Sequence, residues 1–371
     1  MRILMGPDTT QRAILPHLQR TENLLAAASS TESRHKEDAE IVVLPDLGLP
    51  HNVRRMHGGF YTGAFYQWSG DVPLVPVDAT VNVCGVSVFR TTMDPTNLSE
   101  FMHEVGRARS RIEAETAFSW NWASGNHFAT LAEVRDSGVL PEGRYLVLHA
   151  SAAEFKKQYN GLYPDPRNWY ADSVKTIWGE DGRYLRYLSG KKAEQFYKQA
   201  QMLIEYQRSR QRTCAELICG AAGIEEEILS VPHYGMPDQN SVAIGCQWLD
   251  ETNPDYLLLT RPEAPLYLVR AQAGGPNTVS TAYGSRLLTP HGLGVRAIAE
   301  AHIEYHKDHL SVGGQVLPLD ASLEGHSTTS YRSFNGMRTV DASLEHCPGT
   351  VGAVLHQIYS HYRTGQVNDK S

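Results

Sequence analysis

The sequence predicts the α+β class: one compact domain of mixed β-sheets with flanking helices. Three observations predict it. Short apolar, β-branched runs bounded by Pro and Gly recur along the chain, as strands do. Helical spacing appears in a few long stretches, the strongest over residues 191–219. No repeat, low-complexity tract or obvious linker divides the 371 residues, so 1–371 reads as a single domain, and 41% hydrophobic content supplies its core.

The elements follow in order. RTENLLAAASSTESRHKEDA, 20–39, predicts a helix with polar flanks, and IVVLPDLGL, 41–49, a short buried strand stopped at Pro45. The Gly- and aromatic-rich stretch 50–71 has no clean period and reads as an ordered loop. Residues 72–92 are apolar and β-branched nearly throughout, as strands buried on both faces are, with Asp78 and Cys84 interrupting. Asp94 to Asn97 are cap-type residues, and Leu98, Phe101, Met102 and Val105 then fall at helical spacing in a helix ending near Ile112. SGNHFATLAEV, the turn LPEGR and RYLVLHASA predict strand, turn and strand, with a histidine near the outer end of each arm. Over 191–219, Phe196, Ala200, Leu203 and Tyr206 form one stripe, with Gly220 and Gly223 as the stop; this helix reads as structural. Beyond it, short strands return between Pro and Gly turns, the last, around LLTPHGLGVRAIAEAHIEYH, passing into a helix.

Bulk properties exclude several classes. The start MRILMGPDTTQRAIL is too short in apolar residues for a secretory segment, and no apolar run has membrane-spanning length. A cytoplasmic location is therefore the default expectation. Five cysteines, Cys84, Cys214, Cys219, Cys246 and Cys347, contain no CxxC pair, so neither a disulfide framework nor a zinc ribbon is indicated. A net charge of −7 argues against non-specific nucleic-acid binding by the chain as a whole. Two local basic clusters, GRARSR (106–111) and QRSRQR (207–212), read either as patches or as the solvated faces of helices.

Five positions share a setting. Cys84, His127, His149, His233 and His291 each lie in or at the end of an apolar or small-residue run. Scattered soft ligands from separate strands are how a catalytic transition-metal site is built, and one thiolate with several imidazoles suits Mn²⁺, Zn²⁺, Fe²⁺ or Co²⁺. The alternative for each is bland: Cys84 as a small core hydrophobe, the histidines as strand-end groups bonded to backbone. His291 stands in TPHGLGVR, where Gly292 and Gly294 would let the backbone approach a phosphate and Arg296 would open a helix and pair with phosphoryl oxygens. An exposed imidazole there can act as a nucleophile toward phosphorus; the alternative is a turn that needs glycine.

In this order the segments resemble the RtcB family of RNA ligases. IVVLPDLGL is similar to the family's MPDVHLG strand, NVCGVSVFRTT to DIGCGMNALRT around its metal-binding cysteine, ASGNHF to GTGNHF, YLVLHASA to MLHSGSRG, VPHYG to the HHN ligand motif, and PHGLGVR to SHGAGR with the guanylylated histidine. The resemblance spans most of the chain. It implies an RtcB-like fold and Cys84, His127, His149 and His233 as ligands of one or two Mn²⁺ ions, with Asn126 near the nucleotide phosphates. It also implies His291 as the group that attacks GTP, and Arg296 as the match, shifted by one residue, to the family's arginine. The implied reaction joins RNA 3′-phosphate or 2′,3′-cyclic phosphate ends to 5′-hydroxyl ends, as in tRNA splicing and RNA repair. GTP and such RNA are the implied partners, and an activating protein stays open as another.

The chain departs from the family at stated positions. The aspartate three residues before the cysteine is Val81 here, with Asn82 adjacent and Asp78, three further back, carried as the candidate carboxylate ligand; one metal or two stays open. The glutamate three after the GNHF histidine is Thr130, the histidine of MPDVHLG is Gly48, and the arginine of HSGSRG has no counterpart among Ala150, Ser151, Ala152 and Ala153. No glycine-rich nucleotide loop is found before PHGLG, and Lys370 is a poor counterpart to the family's C-terminal lysine. Two other functions therefore stand beside ligation: a divergent metal-dependent phosphoesterase or nucleotidyl transferase, and a non-catalytic RNA-end or metal-binding protein.

Overall fold

The computed structural model describes the chain except residues 51, 137, 153, 155–161, 163, 261–263, 282–283, 293–295, 298–301, 322–328, 331–335, 363–364 and 369–371, and it leaves the side chains of 296–297, 329–330, 336–339, 342 and 365–368 undescribed. Its class is mixed α+β, as the sequence predicts.

Two sheets dominate. One has five strands in the order Arg2–Ile3, Ala39–Gly48, Thr62–Trp68, Ser241–Ile244, Tyr234–Gly235. The other is antiparallel and eight-stranded, ordered Ile224–Pro232, Cys84–Thr91, Gly143–Ser151, Phe128–Val134, Gly349–Tyr362, Leu266–Ala271, Asp255–Leu258, with Gly365–Asn368 paired to the long Gly349–Tyr362 strand. The hairpin read from SGNHF to LHASA is present, with Phe128 opposite His149.

Strand alternation decides which residues face which layer. Leu146, Leu148 and Phe89 meet Phe101, Val105 and Ala108 of the Leu98–Glu115 helix and Cys214, Ala215 and Ile218 of the Gly190–Cys219 helix. Val86, Val88, Tyr145 and Val147 pack in a separate core. In the five-stranded sheet, Ile41, Val43, Ala64 and Tyr66 pack with Ile14, Leu18 and Leu25 of the Thr9–Ser33 helix, while Val42, Leu44, Phe65 and Ala243 form another cluster with Cys246 and Leu288.

Several expectations shift. The first helix begins at Thr9, well before residue 20, because Asp8 and Gln11 form a reciprocal capping box and the helix carries Pro16 in its interior. Pro45 does not stop its strand; the strand continues to Gly48 across a register slip between Val43 and Gly48, the kind of irregularity that tolerates a proline. The segment read as a loop over 50–71 contains the Val53–His57 helix and the buried Thr62–Trp68 strand. Arg296 does not open a helix: Arg296–Ala297 is a short strand paired with Thr329–Ser330. Among the described residues, no helix is long and apolar enough to cross a membrane.

Both basic clusters are helix faces bearing local ion pairs. Arg107 pairs with Glu104, Arg109 with Glu113, Arg111 with Glu115, Arg208 with Glu205, and Arg212 with Glu216. Arg210 is the exception, being fully buried against Glu154.

Candidate metal centre

Cys84 begins a strand whose entry is strained. Thr80 and Val83 both have positive φ, at 45° and 46°, a conformation costly for β-branched residues and found where surrounding structure enforces it. From that start the ladder places Val86 opposite His149, so Cys84 and His149 stand close together on adjacent strands. His127 closes the SGN turn just before the Phe128–Val134 strand, its amide bonded to the Ser124 carbonyl at 3.1 Å. His233 leaves the end of Ile224–Pro232, its amide donating to the Cys84 carbonyl at 2.9 Å.

The side chains converge. Cys84 Sγ lies 3.4 Å from His127 Nε2 and 3.3 Å from His149 Nε2, and His149 Nε2 lies 3.1 Å from His233 Nε2. Tetrahedral metal–nitrogen bonds of about 2.0–2.1 Å and a metal–sulfur bond of about 2.3 Å give edges of about 3.3 and 3.6 Å. The observed separations fall a few tenths of an ångström inside those edges. Cys84, His149 and His233 are all buried and form a group able to hold a metal ion.

The outer hydrogen bonds fit the same role. His127 Nδ1 is 3.2 Å from the Asn121 carbonyl and His149 Nδ1 is 3.0 Å from the Asn126 carbonyl. A carbonyl only accepts, so each Nδ1 carries the proton and each Nε2 presents its lone pair to the cluster, the tautomer a metal ligand needs. Burial, and then the neighbouring His291, His149 and His127, push the His233 imidazole well below its usual range.

His291 stands beside this group, its ring centroid 4.8 Å from that of His233. It follows the Gly284–Pro290 strand, and its carbonyl accepts from the Leu259 amide at 2.8 Å. Its Nδ1 lies 2.6 Å from Asp46 Oδ2, and the Gly292 amide donates to the same oxygen at 3.0 Å. The His291 Nε2 is buried with no hydrogen-bond partner among the described residues. Gly245 makes room for the ring: its φ is +60°, and a Cβ there would lie 2.9 Å from His291 Cε1. No family model matches the chain, and no characterised protein matches it either.

Cys84, His127, His149, His233 and His291 are thus brought together. Asp78 is not among them, since its buried carboxylate pairs with Arg186, whose Nε donates to Asp78 Oδ2 at 2.8 Å. The carboxylate the centre does have is Asp46, 3% exposed, which reading the sequence missed. A signal was present, an acidic residue in the middle of the apolar LPDLG run, where a charge needs a partner. Asn126 contributes through its backbone carbonyl. The Arg296 side chain and residues 293–295 of the PHGLGVR motif lie outside the described residues. Thr130 is buried on the Phe128–Val134 strand, donating to Ser360 Oγ at 2.9 Å.

A supporting layer comes from the long helix. Arg210 Nη2 donates to Asn121 Oδ1 at 2.7 Å while its Nε pairs with Glu154 at 3.0 Å, and Gln207 donates to the Ala150 carbonyl at 2.6 Å. Asn121 also donates to the Ser151 carbonyl at 2.7 Å, so this layer ties the His127 turn to the end of the His149 strand.

Proposed function

We propose that the protein is a metal-dependent RtcB-like RNA ligase that uses GTP and joins RNA 3′-phosphate or 2′,3′-cyclic phosphate ends to 5′-hydroxyl ends. One observation carries the reading. His291, the residue the family resemblance casts as nucleophile, lies beside a buried Cys/His group with its Nε2 unpartnered among the described residues and its Nδ1 held by Asp46.

In this reading Cys84, His127, His149 and His233 would hold Mn²⁺. When bound, a divalent cation supplies electrostatic stabilisation of charge on phosphoryl oxygens. His291 Nε2 attacks the α-phosphorus of GTP, the N–P bond forms, the α–β P–O bond breaks and pyrophosphate leaves. Asp46 accepts the Nδ1–H, which keeps the Nε2 lone pair available and offsets the positive charge that grows on the ring as it reacts. A 2′,3′-cyclic end is first opened by water to a 3′-phosphate; GMP then passes to the RNA 3′-phosphate, and the 5′-hydroxyl displaces it. The test is incubation with Mn²⁺ and α-labelled GTP: an acid-labile labelled adduct, absent in His291→Ala, is expected. Bound metal without label would sink the proposal.

A second reading, a divergent metal-dependent phosphoesterase or nucleotidyl transferase, is favoured by the carboxylate count. Val81 and Thr130 stand where the family has acidic residues, and no carboxylate joins the Cys84, His149 and His233 group among the described residues, which suits one metal. Phosphate release from a 2′,3′-cyclic end without joining would select it. Bound metal with neither activity would select a non-catalytic RNA-end or metal-binding role.

A further inference from the structure

A cavity of about 490 Å³ lies among the Thr9–Ser33 helix, the turn between Lys175–Trp178 and Tyr184–Ser189, and the Ile303–Tyr305 strand, and none of its lining residues belongs to the Cys84 cluster. Its inner wall is basic. Arg183 is 6% exposed, and among the described residues its guanidinium contacts only neutral groups: His17 Nδ1 at 3.4 Å, the His57 carbonyl at 3.3 Å and the Tyr305 ring, whose centroid is 3.6 Å away. The one carboxylate among the described lining residues, Asp181, pairs with Arg20 at 2.9 Å and accepts from the Arg183 backbone amide at 3.1 Å. A buried cation without a counter-charge is costly, and an aromatic face offsets only part of that cost.

The remaining lining extends the pattern. Lys307 and His306 stand at the exposed side, and Trp178, 58% exposed, lies edge-on to Tyr184 at the rim. Burial foremost, and then the charges of Arg183 and Arg20, push the His17 imidazole down to about 3. Arg20, Arg183 and Lys307 against Asp181 leave a surplus of two positive charges, matching the charge of a phosphomonoester dianion. Two imidazoles, His17 and His306, add donors, and the indole offers a stacking face.

We propose that this cavity binds a small phosphomonoester, its phosphate seated on Arg183 and its organic part against Trp178. The site is independent of the metal centre and of the reaction proposed there. The test uses the full chain, freed of metal with a chelator, titrated calorimetrically with inorganic phosphate and with adenosine 5′-monophosphate. Saturable binding of both is expected, the nucleotide the tighter. Arg183→Gln should weaken both by about tenfold or more, as loss of a charge-assisted contact does. Trp178→Ala should weaken the nucleotide about fivefold and leave phosphate unchanged. Cys84→Ala should change neither.

Should Arg183→Gln fail to fold, the double variant Arg20→Gln/Lys307→Gln, at two exposed positions, carries the same expectation. Absence of saturable binding in the wild-type chain overturns the proposal, as does full affinity in the folded charge variants. Loss of binding in Cys84→Ala would move the ligand to the metal centre, and equal affinity for phosphate and nucleotide would remove the role given to Trp178.

Discussion

Replacing Asp46 separates its structural role from its chemical one. Its Oδ2 accepts from His291 Nδ1 at 2.6 Å and from the Gly292 amide at 3.0 Å, and both groups are buried. Asp46→Ala leaves two buried donors unsatisfied, each costing roughly 1–3 kcal/mol, so a loss of about 2–6 kcal/mol in folding stability is expected. Asp46→Asn keeps an oxygen able to accept from both, and its NH2 takes the place of Oδ1, which has no hydrogen-bond partner among the described residues, so one unpaired buried group replaces another. Its stability should therefore change by less than about 1 kcal/mol. Labelling by GTP should respond differently, because the amide cannot offset charge on the reacting ring. Losing about 1.5–3 kcal/mol of charge-assisted stabilisation slows adduct formation roughly 10- to 150-fold. Urea denaturation and single-turnover labelling on the same preparations measure the two effects. An Asp46→Asn protein that labels at the wild-type rate, or an Asp46→Ala protein as stable as wild type, would refute the role given to this carboxylate.

Three further outcomes are expected. Cys84→Ala or His149→Ala should lower Mn²⁺ affinity by more than the roughly 10- to 100-fold typical of losing an outer-shell partner, read by calorimetry and metal content. Metal-free protein should lose stability as pH falls below about 6.5: His17 and His233 bind protons less readily folded than unfolded, so the unfolded state takes up more. Together they contribute a slope of up to about 2.7 kcal/mol per pH unit, and denaturation at pH 7.5 and 5.5 showing no difference would contradict it. Glu154→Ala should cost about 3–5 kcal/mol by leaving Arg210 charged and buried, and Arg210→Met combined with Glu154→Leu should recover most of that; denaturant titration of both variants decides.

Legibility in the sequence followed the range over which each signal acts. Period-2 runs and the stripe of Phe196, Ala200 and Leu203 are local, and the strands and helices they predict are present, including the His127–His149 hairpin. The ligand candidates were legible because soft donors in apolar runs are conspicuous in composition. Their convergence was not, since it depends on the Val86–His149 register and on the Cys84 carbonyl holding the His233 amide. Asp46 is hidden for the opposite reason: it sits in a strand whose proline reads as its end, and its partner lies 245 residues away. Arg210 read as one of a row of solvated arginines, yet only it turns inward, where Glu154 and Asn121 await it. Asp78 misled because proximity in sequence to Cys84 says nothing about the direction of a side chain, and Arg186 claims it.

The arrangement also explains why neither sheet suffices for the centre. Cys84 and His149 belong to the eight-stranded sheet, Asp46 to the five-stranded one, and His233 sits on the connection between them, immediately before the Tyr234–Gly235 strand. His291 reaches the cluster from a third sheet, through the pairing of Cys246 with Pro290. The Gly245 turn must therefore satisfy two demands at once, passing close to His291 and delivering Cys246 to its ladder, and its positive φ meets both. A centre assembled at such a junction holds its ligands in place through the packing of whole layers. The strain at Thr80 and Val83 is tolerated because Val81, Val83 and Cys84 are buried together in one hydrophobic cluster that fixes the segment.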